Sequence, residues 1–139
     1  MKVRIEQLQP SERVLSERKL ARTRWLYDCG LFKPEIIITP FEKRYAVVDG
    51  NHTAYAAYER GLFQIEAEVE QRQIQHIPSI ATAGITGISD LSDKILTHNE
   101  WRKIFPECNN FEDALSDDVF FSKHPELEKY CFYRKIKTF

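Results

Sequence analysis

Apolar and polar residues alternate in the first part of the chain and then change to helical spacing. Residues 2–8 place an apolar residue at nearly every second position, which predicts a short strand that Pro10 ends. The apolar positions of residues 11–29 then follow helical spacing. Ser11 is a residue type that caps helices, and Gly30 is suited to end one. We therefore predict a strand followed by one helix that begins at Ser11.

Four further segments continue this alternation of strands and helices. Residues 34–40 contain three consecutive isoleucines between two prolines, which predicts a strand buried on both faces, and residues 45–48 predict a second buried strand. Residues 52–60 are alanine-rich and predict a helix that Gly61 closes. Residues 64–71 alternate strictly between apolar and polar types, which is typical of a half-exposed strand.

The second half of the sequence gives weaker patterns. Residues 77–89 are rich in small side chains and predict a loop or a broken helix. Thr97 and Glu100 have the spacing of a capping box before a short helix, and residues 124–135 predict a last helix. The predicted fold class is α+β or α/β, with a small mixed sheet, helices and a mostly helical C-terminal extension.

Composition narrows the class of protein. A length of 139 residues fits one domain, which we divide into a core at 1–70 and an extension at 71–139. The net charge of −1 does not favour nucleic acid as a partner, and the apolar runs are too short to span a membrane. Three cysteines without a close pair predict neither a disulfide nor a zinc site. We expect a cytoplasmic protein without a membrane partner.

The candidate chemistry lies where the second buried strand meets the alanine-rich helix. Asp49, Gly50, Asn51, His52 and Thr53 follow the strand directly. A glycine turn that opens a helix directs unpaired N–H groups outward, and the helix dipole favours an anion there. Asp49 is suited to hold a metal ion bridged to phosphates or to orient a substrate group. The alternative is an ordinary Asp-Gly-Asn turn with a normal helix cap.

Residues 45–71, "YAVVDGNHTAYAAYERGLFQIEAEVEQ", resemble the central motif of the ParB/sulfiredoxin superfamily. Residues 3–39 have the order of that superfamily as well: a strand, an "L-x-P-x-E" segment, a helix and a second strand. The resemblance covers residues 2–70. Residues 84–104, "GITGISDLSDKILTHNEWRKI", more weakly resemble a block of the branch that phosphorylates free serine.

This resemblance implies a ParB/sulfiredoxin-like fold and a small-molecule kinase that uses ATP, ADP or CTP with Mg²⁺. Glu12 stands at the glutamate of the "L-x-P-x-E" segment, where the resemblance implies a base that activates the substrate hydroxyl. Asp49 would act with it as a catalytic and metal-binding residue. His98 and Trp101 are assigned to the substrate side from the weaker block. The residues that would cradle the nucleotide phosphates are Gly50, Asn51, His52 and Thr53.

Two positions depart from the superfamily pattern. Asn51 replaces the cysteine that sulfiredoxins need, so sulfiredoxin chemistry is not expected. Thr53 stands where arginine is usual. Either Lys43, Arg44 or the basic face of the predicted helix at 11–29 supplies the positive charge, or the site binds a less anionic ligand, or the site is degenerate. Two alternatives to a kinase therefore remain. One is a non-catalytic module that binds a nucleotide, another anion or a protein, and the other is a ParB-like protein associated with DNA.

Overall fold

The computed structural model describes residues 1–29, 35–97, 100, 103, 122–127 and 130. The chain forms two compact units. The first consists of Met1–Leu15 and Lys33–Ile95, and the second of Ser16–Phe32 and Leu96–Phe139. The sheet and the candidate site residues 12 and 49–53 belong to the first unit.

Five strands of the first unit form one mixed sheet. The strands of the chain are β1 (Lys2–Arg4), β2 (Leu8–Gln9), β3 (Leu15–Ser16), β4 (Glu35–Phe41), β5 (Arg44–Asp49), β6 (Gln64–Val69) and β7 (Ile95–Leu96). The sheet order is β1-β6-β4-β5-β2, and β3 pairs with β7 in a separate two-stranded sheet. The strand β4 lies antiparallel to β5 and parallel to β6, so both kinds of pairing meet at the sheet centre.

Helices complete the α+β fold, which confirms the predicted class of a mixed sheet with helices. They are α1 (Glu17–Cys29), α2 (Asn51–Glu59) and α3 (Ile77–Thr82), with 3-10 turns at Ile5–Gln7, Ile88–Leu91 and Pro125–Leu127. The segment 77–89 is a broken helix, because α3 ends before the second 3-10 turn begins. Within the described part of the chain, no helix is both long and apolar enough to cross a membrane.

The core of the first unit is built from the central strands and α2. Ile36 and Ile38 of β4 are buried, as are Ala46 and Val47 of β5. The helix α2 contributes residues with little or no exposure, namely Ala54, Tyr55, Ala56 and Ala57. Side chains as small as alanine allow a helix to pack closely against its neighbours, and burial of apolar surface stabilises the arrangement.

Two burial predictions for the strands are corrected. Ile37 is only half-buried, so β4 is not buried on both faces. In β6 the alternation holds at Ile65 and Ala67, but Val69 is 40% exposed at the end of the strand. Neighbouring residues of a strand point to opposite faces, and only one face of β4 carries fully buried isoleucines.

The prediction of one strand over residues 2–8 is also corrected. A 3-10 turn at Ile5–Gln7 separates β1 from β2. The strand β1 pairs with β6 at one edge of the sheet, whereas β2 pairs with β5 at the other edge. The turn therefore carries the chain from one edge to the other, which a simple apolar alternation does not reveal.

The predicted helix over residues 11–29 begins later than expected. Residues 11–14 are irregular, Leu15 donates its N–H to the Lys94 carbonyl at 2.9 Å, and α1 begins at Glu17. The Ser16 hydroxyl accepts the Lys19 N–H at 3.3 Å, so Ser16 is positioned to cap the helix. Glu12 therefore does not lie in the first turn of a helix.

The second unit contains α1 and the described C-terminal residues. Ala21 of α1 and Leu127 are fully buried and pack together, and Trp25 lies 4.9 Å from the His124 ring. The predicted capping box is confirmed, because the Thr97 hydroxyl donates to the Glu100 carboxylate at 2.8 Å and accepts the Glu100 N–H at 3.3 Å. The hydroxyl bond holds the pKa of Glu100 below its usual value.

Much of the predicted C-terminal extension falls outside the described residues. His98 and Trp101, which were assigned to the substrate side, are outside them. The predicted last helix at 124–135 contains the 3-10 turn at Pro125–Leu127, and most of its remaining residues are outside the description.

Candidate functional site

The connection from β5 to α2 is one residue long and depends on glycine. Gly50 has φ +111° and ψ 28°, in a region that L side chains rarely adopt. A Cβ atom at this position would lie 2.5 Å from Ile36 Cγ2. Ala54 donates its N–H to the Gly50 carbonyl at 2.8 Å, which is the first hydrogen bond of the helix. The predicted glycine turn between a strand and a helix is therefore present.

The first turn of α2 offers N–H groups that helix geometry leaves without an intrahelical acceptor. The residue at the cap position is Gly50, which has no side chain to accept a hydrogen bond from them. The α2 dipole places partial positive charge at the same end. Helix starts of this kind favour an anion, and anion binding at the start of α2 stays a prediction.

The Asn51 side chain does not face outward. Its residue is 4% exposed, and its amide oxygen accepts the Ser11 N–H at 3.0 Å. Its amide nitrogen donates to the Ser11 hydroxyl at 2.9 Å. The expectation that Asn51 supplies a side-chain donor to a phosphate is therefore replaced by a different role. Asn51 ties the start of α2 to the irregular segment 11–14.

A second contact reaches the same segment from the start of α3. His76 Nε2 lies 2.8 Å from the Ser11 carbonyl oxygen. Because a carbonyl can only accept, His76 carries its proton on Nε2 in this contact. Arg13 Nη2 also donates to the Ser79 hydroxyl at 3.3 Å. Segment 11–13 is thus held by hydrogen bonds from both α2 and α3.

These contacts place Glu12 beside His52. Glu12 Oε2 lies 3.9 Å from His52 Nδ1, with side-chain exposures of 43% and 15%. The distance is that of a neighbouring acid and base rather than of a formed hydrogen bond. Two predicted site residues that are forty positions apart in sequence therefore meet in the structure.

Two other predicted site residues lie close to His52 in sequence. Asp49 is exposed at the end of β5, and Thr53 is half-buried in the first turn of α2. Asp49, His52 and Thr53 thus lie within five consecutive residues, at the end of one strand and the start of the next helix.

Arg44 is not available as the replacement for the missing motif arginine. Its Nη1 donates to the Thr86 carbonyl at 2.7 Å, and its Nη2 donates to Gln9 Oε1 at 2.8 Å. Gln9 is fully buried and donates to the Ile85 carbonyl at 2.7 Å. Arg44 therefore braces β2 and β5 against the segment that follows α3.

Ser11, His76 and Gln9 are the residues of this region that the sequence did not single out as parts of it. Ser11 has the residue type and position of a helix cap, so it was predicted to cap the first helix. In the structure it instead contacts Asn51 and His76. The two partners lie 40 and 65 positions away. No local spacing relates residues so far apart.

The residues present suit a metal ion only in company with phosphates. In the part of the chain that the structure describes, no three His, Cys, Asp or Glu side chains cluster so as to hold a metal ion. Mg²⁺ is commonly bound by one or two carboxylates together with substrate phosphates. Asp49 fits the role of one such carboxylate.

A separate cavity of about 290 Å³ lies near the other end of α2. It is lined mainly by apolar side chains, including Ile5, Tyr58, Leu62 and Phe63. Leu62 and Phe63 are 45% and 59% exposed. None of its lining residues belongs to the turn at Gly50, so the cavity is distinct from the candidate site.

Comparison with known proteins identifies a fold relative. The fold resembles that in the crystal structure of protein Atu1540 from Agrobacterium tumefaciens, with a TM-score of 0.51 and 14% sequence identity. The match covers 66% of this chain and 60% of that one, so it spans less than two-thirds of either. At this identity the likeness concerns the fold alone. No family model matches the chain, and no curated protein sequence matches it significantly.

Proposed function

We propose that this protein is a cytoplasmic phosphotransferase that moves a phosphoryl group from a nucleotide to the hydroxyl of a small, amino-acid-like substrate. ATP or ADP is the preferred donor class, and CTP is a further candidate. The observation that carries the proposal is the position of the Glu12 carboxylate, 3.9 Å from His52 at the glycine turn that opens α2.

The proposed roles follow from charge and position. The N–H groups of the first α2 turn, with His52 and Thr53, would contact the phosphates. Asp49 would contribute one ligand to Mg²⁺ that arrives with the nucleotide. With ATP, the substrate oxygen bonds to the γ-phosphorus while the bond to the β–γ bridging oxygen breaks. ADP leaves, and Glu12 takes the hydroxyl proton.

A non-catalytic anion-binding module is the second candidate, and a specific observation favours it. Thr53 replaces the arginine of the resembling motif, and the Arg44 guanidinium is already bound to Gln9 and Thr86. Arginine gives phosphate a fixed bidentate charge that a hydroxyl does not replace. Such a site would hold an anion without promoting its transfer.

One experiment separates the two functions. Thermal unfolding is measured with ATP, ADP, CTP and pyrophosphate, each with and without Mg²⁺, and hydroxyl amino acids are then screened for turnover. A ligand at one hundred times its dissociation constant adds about 2.7 kcal/mol of stability. Glu12→Gln should lower turnover roughly 100-fold or more while nucleotide affinity persists.

The matched control is Glu42→Gln, which removes an exposed carboxylate from the turn before β5, at the opposite end of that strand from Gly50. It should change neither turnover nor affinity. Binding without turnover in the wild type would support the non-catalytic module. Absence of binding by every nucleotide and by pyrophosphate would refute both forms of the proposal.

A further inference from the structure

Ser11 makes three polar contacts with two distant residues. Its N–H and hydroxyl bind the Asn51 amide, and its carbonyl accepts from His76 Nε2. Ser11 is 8% exposed and lies in a segment with no regular strand or helix. Side-chain hydrogen bonds, rather than a backbone ladder, therefore fix the path of the chain here.

Glu12 follows Ser11 directly, so the carbonyl that His76 holds belongs to the peptide bond that leads into Glu12. A peptide group is planar, and a fixed carbonyl therefore restricts the orientation of the next residue. Asn51 fixes the other side of Ser11 from the start of α2. The two contacts together fix the backbone from which the Glu12 side chain extends towards His52.

We propose that His76 is a positioning residue, which holds the Ser11 carbonyl so that Glu12 faces His52. A catalytic effect of His76 rests on the proposed function, whereas the position it gives to Glu12 does not. The charged or titratable side chains on the segments that meet here are Glu12, Arg13, Asp49, His52 and His76. Glu12 Oε2 lies 3.9 Å from His52 Nδ1.

The first test follows the His52 ring by NMR as a function of pH, in the full-length protein without ligand. A nearby carboxylate stabilises the imidazolium, so Glu12→Gln should lower the pH at which His52 titrates by about 0.5 unit. If His76 positions Glu12, His76→Ala should produce a shift in the same direction. The double variant should then show little further change.

Two matched variants separate positioning from a general effect on folding. His76→Gln retains an N–H donor at a similar reach and should restore the wild-type titration of His52. Thr82→Val removes a hydroxyl that donates to the Pro78 carbonyl within α3 and leaves segment 11–13 untouched. It should leave the His52 titration unchanged. The exposed position of His76 favours folding of its variants.

Three results of the NMR titrations would overturn the proposal. A His52 titration that Glu12→Gln shifts but His76→Ala does not would overturn the proposal. So would shifts from the two variants that add fully in the double variant. If Glu12→Gln leaves the His52 titration unchanged, Glu12 and His52 do not interact, and the proposal fails.

Kinetics then distinguish this inference from the proposed function. If turnover is found, His76→Ala should lower kcat roughly 10- to 100-fold with little change in nucleotide affinity, and His76→Gln should recover most of it. An equal loss of kcat in both His76 variants would contradict positioning. If no nucleotide binds, the proposed function fails, and the NMR titration still decides whether His76 positions Glu12.

Discussion

Gly50 is the residue on which the candidate site depends most directly. Its positive φ and its contact with Ile36 both exclude a side chain. The glycine turn was predicted from sequence because Asp-Gly before an alanine-rich run is a local signal. Its contact with β4 was not predictable, since Ile36 lies in a different strand.

Gly50→Ala should destabilise the protein by about 2–4 kcal/mol, because it combines backbone strain with a clash against Ile36. Gly61→Ala is the matched control, since Gly61 also has positive φ but has no atom within 4 Å of a built Cβ. The control should cost only about 1 kcal/mol. Urea unfolding measures both values, and equal losses would contradict the close packing at Gly50.

Asp90 gives a second prediction at the scale of the residue. The Thr86 and Gly87 N–H groups each donate to its carboxylate at 3.0 Å and hold the pKa of Asp90 below its ordinary value of 3.8. The ionised form is therefore favoured in the folded state. This stabilisation is complete above the ordinary pKa and is lost as the pH falls through the lowered one.

Wild type should consequently exceed Asp90→Asn in unfolding free energy at neutral pH, and the difference should shrink as the pH falls below the ordinary pKa of 3.8. Urea unfolding at several pH values provides the comparison. Ser92→Ala, on the neighbouring turn, serves as the control because it removes no titratable group. A constant difference between Asp90→Asn and wild type across this range would argue against a stabilised carboxylate.

At the scale of elements, local signals predicted the central strands and the alanine-rich helix but misplaced the start of α1. The sequence prediction placed the cap at Ser11, whereas α1 begins after Ser16, a residue of the same type. The start of α1 depends on tertiary contacts, because Ser11 forms hydrogen bonds with Asn51 and His76. The pairing of Glu12 with His52 escaped prediction for the same reason.

The link between segment 11–14 and α2 can be measured as a coupling energy. Asn51→Ala should cost about 2 kcal/mol, since it leaves the buried N–H and hydroxyl of Ser11 without their partner. Ser11→Ala removes one of the same hydrogen bonds and should cost about 1 kcal/mol. The double variant should lose less than the sum by about 1 kcal/mol. Additive losses in chemical unfolding would show that the two residues act independently.

At the scale of the whole molecule, charge bears on the third alternative, a DNA-associated protein. The net charge of −1 supplies no strong field toward a polyanion, and phosphate neutralisation dominates duplex affinity. We expect no specific gel shift with single- or double-stranded DNA at physiological ionic strength. A salt-resistant complex would instead favour the DNA-associated alternative.

The residues of the proposed site and of the further inference belong to the first unit. They lie mainly at the end of β5, at the start of α2 and in the segment after β2. We propose that these elements form one anion-binding site with Glu12 at its edge. A measurement that locates binding on the molecule tests this claim more directly than affinity alone.

That measurement is the change in backbone amide NMR signals when ADP and Mg²⁺ are added to the full-length protein. We expect saturable shifts concentrated at Gly50, Asn51, His52 and Thr53, together with Glu12. Shifts confined to the cavity beside Leu62 and Phe63, or no shifts at all, would contradict it.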